Sequence, residues 1–281
     1  TSATVSGADL PSPGTYRYYS WYAYDAFGNQ SGTTQDYIRM NAQIPISTPT
    51  YPTNGATVNN GGAITFTTSA VSDGDGQTPQ YYFRVATGSD GETGVVCNSG
   101  WQTSTSYSCN PGVGTFYWHV YTYDGISQTS PNYTYSFYNN AQPSVVSSSP
   151  AGTFGAGART FTTVYSDPNG ATDISYVHLL INSGVDGNNV AFYGYYVRAS
   201  NSCSIYGSDT NGLWNAAPYA QPNVTLTSCS SVASGNTLTV TWNLNFTNWS
   251  EASMGSYGYV GDNSTWASGW SGSLATVTVD T

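Results

Sequence analysis

Apolar and polar side chains alternate in short runs along this chain. In Leu238-Thr239-Val240-Thr241-Trp242-Asn243-Leu244 every second residue is apolar, and Leu274-Ala275-Thr276-Val277-Thr278-Val279 alternates likewise. A period of two puts one face of a β-strand inward and the other outward. β-branched and aromatic residues fill these runs, while Gly, Asn, Asp and Pro gather between them as turn signals. Helix-period runs and strong helix formers are scarce. The pattern predicts an all-β chain with essentially no helix.

Three segments emerge. Residues 1–43 hold a short strand-compatible run at 2–6, a long strand ending at Asp25, a turn over 26–31 and a strand around 36–40. In the long strand, alternation sets Tyr19, Trp21 and Ala23 on one face and Tyr18, Tyr22 and Tyr24 on the other. Residues 44–142 carry seven strand candidates, at 48–52, 63–70, 79–86, 94–101, 104–109, 114–123 and 132–138. Seven short strands with intervening turns are the number expected of a β-sandwich. Phe116, Trp118, Val120 and Thr122 should form the core face of the penultimate strand. Residues 143–281 open in the same way, since Thr160-Phe161-Thr162-Thr163 repeats Thr65-Phe66-Thr67-Thr68, each followed by a Ser-Asp turn. This third segment is long for one sandwich of roughly 100 residues. The excess is expected in 184–222, as a long hairpin or loop.

The repeat runs deeper. Tyr18-Tyr19-Ser20-Trp21-Tyr22-Ala23-Tyr24-Asp25 matches Tyr117-Trp118-His119-Val120-Tyr121-Thr122-Tyr123-Asp124 at a separation of 99 residues (124 − 25). Asn41-Ala42-Gln43 recurs as Asn140-Ala141-Gln142 at the same offset. A period near one hundred residues is one sandwich domain, not a short solenoid unit. The chain therefore reads as tandem β-sandwiches: a partial module at 1–43, a full one at 44–142 and a larger one at 143–281. Trp21 and Trp118 are expected on the same core face of successive modules.

Composition narrows the function. Only 7% of the 281 residues are charged, lysine is absent, and the net charge is −10. Binding of nucleic acid or an anionic membrane by charge needs a basic face, so neither is expected as a partner. The aromatic content of 15% supplies enough apolar surface to order the chain despite its low charge. No apolar run reaches the length of a membrane span, so membrane insertion is not expected. No signal peptide is visible, which fits a mature protein or an excerpt of a longer one. Four cysteines allow three connectivities. The local pairs Cys97–Cys109 and Cys203–Cys229 are favoured, because each lies within one domain. An even cysteine count with no lysine suggests an extracellular, oxidising setting.

The run Tyr22-Ala23-Tyr24-Asp25-Ala26-Phe27-Gly28-Asn29-Gln30-Ser31 resembles the F strand and F–G turn of fibronectin type III-like modules in bacterial extracellular proteins. The run through Tyr123-Asp124-Gly125 is a looser match. Ser166-Asp167-Pro168-Asn169-Gly170 and Asp173-Ile174-Ser175-Tyr176-Val177 resemble the opening of a Ser/Thr-rich sandwich domain of large bacterial surface proteins. These resemblances imply tandem Ig/fibronectin III-like β-sandwiches and a cell-surface location, and they imply no chemistry.

Candidate chemistry is sparse. The two histidines, His119 and His178, lie in strand runs with no nucleophile motif nearby, and Glu92 and Glu251 fall in different domains. A triad or a flanking carboxylate pair needs convergence that nothing here suggests, so no active site and no cofactor are expected. Asp73, Asp75, Asp167, Asn169 and Asp173 lie in tight Gly-rich turns, where oxygens could gather on Ca²⁺. Asp and Asn are also ordinary turn residues, and that is the favoured reading. Glycosylation sequons occur at Asn29, Asn132, Asn223, Asn245, Asn248 and Asn263, a number that chance gives in so hydroxyl-rich a chain. Attached or bound glycans remain chemically plausible. Exposed Tyr and Trp could stack on sugars, against a plainer role in core and cross-strand packing.

The first reading is a structural subunit of an extracellular bacterial fibre or surface appendage. Successive copies would join head to tail, with strand complementation as the means, at an assembly surface centred on Tyr19, Trp21 and Tyr37. The rival is a cell-surface adhesin or an array of carbohydrate-binding modules.

Overall fold

The computed structural model describes residues 12, 14–32, 34–185, 191–207, 213–247 and 253–280. They form two compact units: residues 1–56, 63–111 and 115–138, and residues 57–62, 112–114 and 139–281. No helix is assigned among the described residues, and none is long and apolar enough to cross a membrane.

The first unit begins with an antiparallel pair, β1 (Tyr16–Trp21) and β2 (Thr34–Arg39). The strands that follow are β3 (Pro49–Tyr51), β4 (Ala56–Asn59), β5 (Ile64–Thr68), β6 (Gln80–Ala86), β7 (Val95–Asn98), β8 (Ser106–Cys109), β9 (Gly114–Tyr123) and β10 (Tyr135–Asn140), of which β4 after Ala56, Gly114 of β9 and the last two residues of β10 belong to the second unit. They make a three-stranded sheet of order β3-β5-β8 and a five-stranded sheet of order β4-β10-β9-β6-β7. All seven expected strands of 44–142 are present; β4 is additional. The inward face of β9 carries Phe116, Trp118, Val120 and Thr122, all buried as the alternation predicts. Trp118 packs on Phe66 and Phe83, with ring centroids 5.1 and 6.4 Å away, and its Nε1–H donates to the Pro52 carbonyl at 3.3 Å. That bond satisfies the indole, whose desolvation would otherwise be a cost. The Cys97–Cys109 disulfide ties β7 to β8, and so one sheet to the other.

The second unit comprises β11 (Ser144–Ser149), β12 (Gly152–Phe154), β13 (Gly157–Ser166), β14 (Ile174–Asn182), β15 (Phe192–Val197), β16 (Ser202–Gly207), β17 (Leu213–Ala216), β18 (Tyr219–Ala220), β19 (Val224–Ser234), β20 (Thr237–Phe246), β21 (Met254–Asp262) and β22 (Ala275–Val279). A five-stranded sheet, β11-β13-β20-β19-β18, faces a seven-stranded one, β12-β22-β21-β14-β15-β16-β17. The excess length of 184–222 thus becomes strands more than loop. Phe192, Tyr196, Cys203 and Ile205 alternate inward and are buried, so β15 and β16 extend the sheet over the core. Trp242 anchors that core and donates to Thr163 Oγ1 at 3.0 Å. Position 194 must be glycine, because a Cβ there would lie 2.7 Å from both the Phe192 and Trp242 rings. Cys203–Cys229 joins β16 to β19, again linking the two sheets.

One expectation fails. Trp21 is 45% exposed whereas Trp118 is fully buried. The register of 99 residues holds for the strand, but among the described residues no second sheet covers the β1–β2 pair.

Candidate functional site

Four features outside the cores carry chemistry. The first is the β1–β2 hairpin. Tyr18 lies opposite Tyr37, and Tyr16, Tyr18 and Tyr37 stack on one face. Tyr19 and Trp21 stack on the other. The three residues expected at one assembly surface are therefore divided between two faces, because Tyr37 faces with Tyr18 rather than Tyr19. Asp25 closes the turn beyond β1 by accepting from the Phe27 and Asn29 amides and the Asn29 side chain. The Asn29 side chain, then its amide, holds the Asp25 carboxyl below its usual range.

The second feature is an aromatic patch on the outer face of β6 and β9. Tyr82 lies 5.5 Å from Trp101 and 6.1 Å from Tyr121. Arg84 sits over both tyrosine rings, 5.3 and 5.6 Å from their centroids. With Gln128 these side chains line a shallow pocket of about 210 Å³. Glu92 pairs with Arg84 and accepts from the Tyr121 hydroxyl. His119 Nε2 lies 3.0 Å from Glu92 Oε1 but makes no well-directed hydrogen bond. Burial, followed by the Arg84 charge, lowers His119 to about 4, so the ring is neutral at physiological pH. Thr134 lies at the long limit of 3.5 Å on its other nitrogen. His119 is buried, so this series of groups braces the sheet and offers no accessible base.

The third feature is a larger aromatic face on β14, β15, β21 and their neighbours. His178 is ringed by Tyr195 at 4.8 Å, Tyr193 at 5.4 Å, Tyr259 at 5.5 Å, Tyr176 at 5.6 Å, Trp214 at 5.9 Å and Trp270 at 6.0 Å. All but Trp214, on β17, and Trp270, which lies between β21 and β22, occupy outward positions that alternate with the buried core positions of the same strands. Desolvation lowers His178 to about 4. The rings meet mostly tilted or edge-on, and His178 stacks on Tyr195. Alternation could have located the cluster, since Tyr193-Gly194-Tyr195 and Tyr257-Gly258-Tyr259 place tyrosines on one face.

The fourth feature is a pair of carboxylate clusters, one in each unit, built on the same framework. In the first unit Asp73 Oδ1 accepts from the Asp75 and Gln77 amides. Asp75 accepts from Arg39 at 2.9 Å and from the Ala42 amide at 2.5 Å. Asp124 accepts from Asn41 at 3.0 Å and from the Ile126 and Ser127 amides. Burial alone would raise the Asp124 carboxyl, but these hydrogen bonds outweigh it and hold the group well below the usual carboxylate range. In the second unit Asp167 Oδ1 accepts from the Asn169 amide at 2.8 Å, and Asn169 Oδ1 from the Ala141 amide at 2.7 Å. Asp262 accepts from Asn140 at 2.6 Å and from the Ser264 and Trp266 amides. One oxygen from each of Asp167, Asp173 and Asp262 lies within 4.8 Å of the others. Burial, and next the neighbouring Asp173 and Asp262, raise Asp167 to about 6, against one opposing hydrogen bond. Of the five residues proposed for Ca²⁺, Asp73 and Asp75 sit in the Arg39 cluster. Asp167 and Asp173 converge with Asp262, which the sequence did not single out. Asn169 spends its side chain on the Ala141 amide and the Asn139 carbonyl.

Among the sequons, Asn132 and Asn223 are exposed. Asn29 and Asn263 are also exposed, but their amides donate to Asp25 and to Thr172 and Asp173. Asn245 is half-buried, and Asn248 lies outside the described residues.

No family profile matches the chain, and no curated protein does. Solved structures that resemble it include fibronectin(III)-like modules of Clostridium thermocellum CbhA, at 14% identity over 84% of this chain and 94% of that one, with a TM-score of 0.30. The FN1–FN3 domains of chicken CNTN1 match at 10% identity over 96% and 77%, with a TM-score of 0.33. A marsupial T cell receptor matches at 13% over 85% and 72%, with a TM-score of 0.30. Superpositions this loose carry no argument; the strand order does. A β3-β5-β8 sheet against β10-β9-β6-β7, and a second sandwich with the same order in its middle strands, are fibronectin III/Ig-like β-sandwiches. Two intersheet disulfides place such an array among extracellular or secreted proteins.

Proposed function

We propose that the chain is a structural subunit of an extracellular fibre or surface appendage, joined to further copies of itself through the β1–β2 hairpin. The supporting observation is the hairpin's exposure. Tyr16, Tyr18, Trp21 and Tyr37 are all open to solvent on a two-stranded ribbon, and among the described residues each strand pairs only with the other. A two-stranded sheet with bare aromatic faces and open edges is marginal in water and invites strand addition. Strands from another copy would cover both faces, and repetition of that heterologous contact gives a filament. Few charges and many Ser, Thr, Asn and Tyr side chains suit a dense, hydrogen-bonded polymer.

The test compares the full chain with a version lacking residues 1–37, which removes the hairpin aromatics but keeps Arg39, Asn41 and Ala42 on their Asp75 and Asp124 partners, by analytical ultracentrifugation and negative-stain microscopy. The full chain is expected to form concentration-dependent thin fibrils, and the shortened one to stay folded and monomeric. Identical fibrils from both would remove the hairpin from the joint. A full chain that stays monomeric at every concentration would overturn the assembly reading.

A second reading rests on the aromatic face around His178. A cluster of Tyr and Trp rings with Trp214 open to solvent offers aromatic faces to pyranose rings, and this supports saccharide binding by the second unit.

A further inference from the structure

The two carboxylate clusters share one framework and differ in one respect. In each, an Asn reaches the Asp that follows a long strand (Asn41 to Asp124, Asn140 to Asp262). In each, the next residue's amide binds a Ser-Asp turn (Ala42 to Asp75, Ala141 to Asn169). The first cluster contains its own cation. Arg39 stands two residues before Asn41 and pairs with Asp75, whose side chain is 1% exposed. In the second cluster the corresponding position, two residues before Asn140, is Tyr138. Among the described residues neither Asp167 nor Asp262 forms an ion pair with an Arg or His. Arg198, the guanidinium in this region, donates to the Thr172 and Ile174 carbonyls.

Buried carboxylates without a compensating charge are costly. Two oxygen atoms here are also left over. Asp167 is fully buried, and its Oδ2 accepts no hydrogen bond. Asn140 is fully buried as well; its Nδ2 is held on Asp262, and the oxygen of the same carboxamide has no partner. Unsatisfied buried oxygens beside clustered carboxylates are what a hard cation would use. Oxygens bound to one Ca²⁺ at about 2.3–2.6 Å can lie at most about 5 Å apart. The three carboxylates meet that limit, with oxygens within 4.8 Å of one another.

We propose that Asp167, Asp173 and Asp262, assisted by the Asn140 carboxamide, bind one calcium-class divalent cation. The three aspartates come from the turn after β13, the turn before β14 and the end of β21. A bound ion would therefore lock the loops at one end of the second unit. Asp75 with Arg39 does the same work in the first unit by an internal ion pair. Ca²⁺ rather than Mg²⁺ suits the site, since flexible turns and several protein oxygens favour the larger ion, while Mg²⁺ keeps its waters and demands octahedral geometry.

The experiment is calorimetric titration of the chelator-treated full chain with CaCl₂ and with MgCl₂, together with thermal melts in EDTA and in millimolar Ca²⁺. One Ca²⁺ per chain is expected, bound at least tenfold tighter than Mg²⁺, with a higher melting temperature in Ca²⁺. Asp167→Asn and Asp262→Asn are isosteric and keep the amide contacts of their turns; both should lose the titration heat and the Ca²⁺-dependent shift. In EDTA, Asp167→Asn should melt no lower than the parent, because it removes a buried uncompensated charge, and this result certifies its fold. No Ca²⁺ heat in the parent, undiminished binding in both variants, or Mg²⁺ binding as tight as Ca²⁺ would each overturn the proposal.

Discussion

Truncation of Trp118 to Ala is the sharpest test of how the first unit is built. The indole is fully enclosed, stacked against Phe66 and Phe83, and bonded to the Pro52 carbonyl. Removing a buried Trp or Phe ring costs about 3–5 kcal/mol, because the surroundings relax only partly into the cavity. Loss of the Nε1–H also leaves the Pro52 carbonyl without that donor, which pushes the cost toward the upper end. At a urea m-value of about 1.5–2 kcal/mol/M, the midpoint of the first unit's transition should fall by about 1.5–3 M. Far-UV circular dichroism is the appropriate probe, since the substitution also changes tryptophan fluorescence. Trp21→Ala is the internal control. Its side chain is largely open, so the same truncation should change stability by no more than about 0.5 kcal/mol. Equal losses from the two variants, or none from Trp118→Ala, would show that the inward face of β9 has been misassigned.

The pH dependence should carry the signature of two buried histidines. His119 and His178 have folded-state values near 4 against an unfolded value near 6.5, so the unfolded chain takes up protons first as pH falls. Their contribution is constant above about pH 6.5 and is lost progressively toward pH 4, by up to about 3 kcal/mol each. Arg84, Asp90 and Glu92 face His119, whereas His178 meets the Tyr and Trp rings described above. His178→Phe should flatten the fall in urea midpoint between pH 7 and pH 4.5; parallel curves for variant and parent would refute the assignment. For the saccharide reading, Trp214→Ala should weaken retention on insoluble polysaccharide or glycan arrays at least tenfold. Binding that survives it, or none by the parent to any glycan tested, would retire the aromatic face as a sugar platform.

The fold was legible because its main signal is local. Alternation in β9 and β20 is strict, so period two identified both strands and their inward faces, Trp118 and Trp242 included. The cysteines were legible for a related reason. Each pair closes a short loop within one sandwich, so local pairing sufficed without a map of the sheets. What the sequence hid was set by neighbours. Trp21 has the pattern of a core residue, and only the lack of a covering sheet among the described residues exposes it. The 184–222 stretch reads only as a long hairpin or loop, because glycines and serines dilute its alternation; the antiparallel pairs β15–β16 and β16–β17 bear out the hairpin and add further strands to it. Yet Gly194 is part of the strand pattern, its missing Cβ making room for Phe192 and Trp242.

The carboxylate cluster shows where a chain read segment by segment runs short. Cation ligands were sought within single turns, and Asp167 and Asp173 were found that way. Asp262 lies 95 residues beyond Asp167 (262 − 167) and joins them only when β14 pairs with β21. A signal for it does exist. Asp25 and Asp124 each end a run of alternating aromatics and cap the following turn, and Asp262 does the same after Tyr257-Gly258-Tyr259-Val260-Gly261. The third copy is disguised because Gly261 stands where Tyr24 and Tyr123 stand in the others. The structure gives the reason: a Cβ at 261 would run into the Tyr176 ring, so the tyrosine of the repeat is excluded at that position. The substitution that hides the repeat thus follows from Tyr176 packing against β21. Tyr138 stands where the first unit has Arg39, so the second cluster lacks that guanidinium, and the missing cation, rather than the missing tyrosine, carries the functional inference.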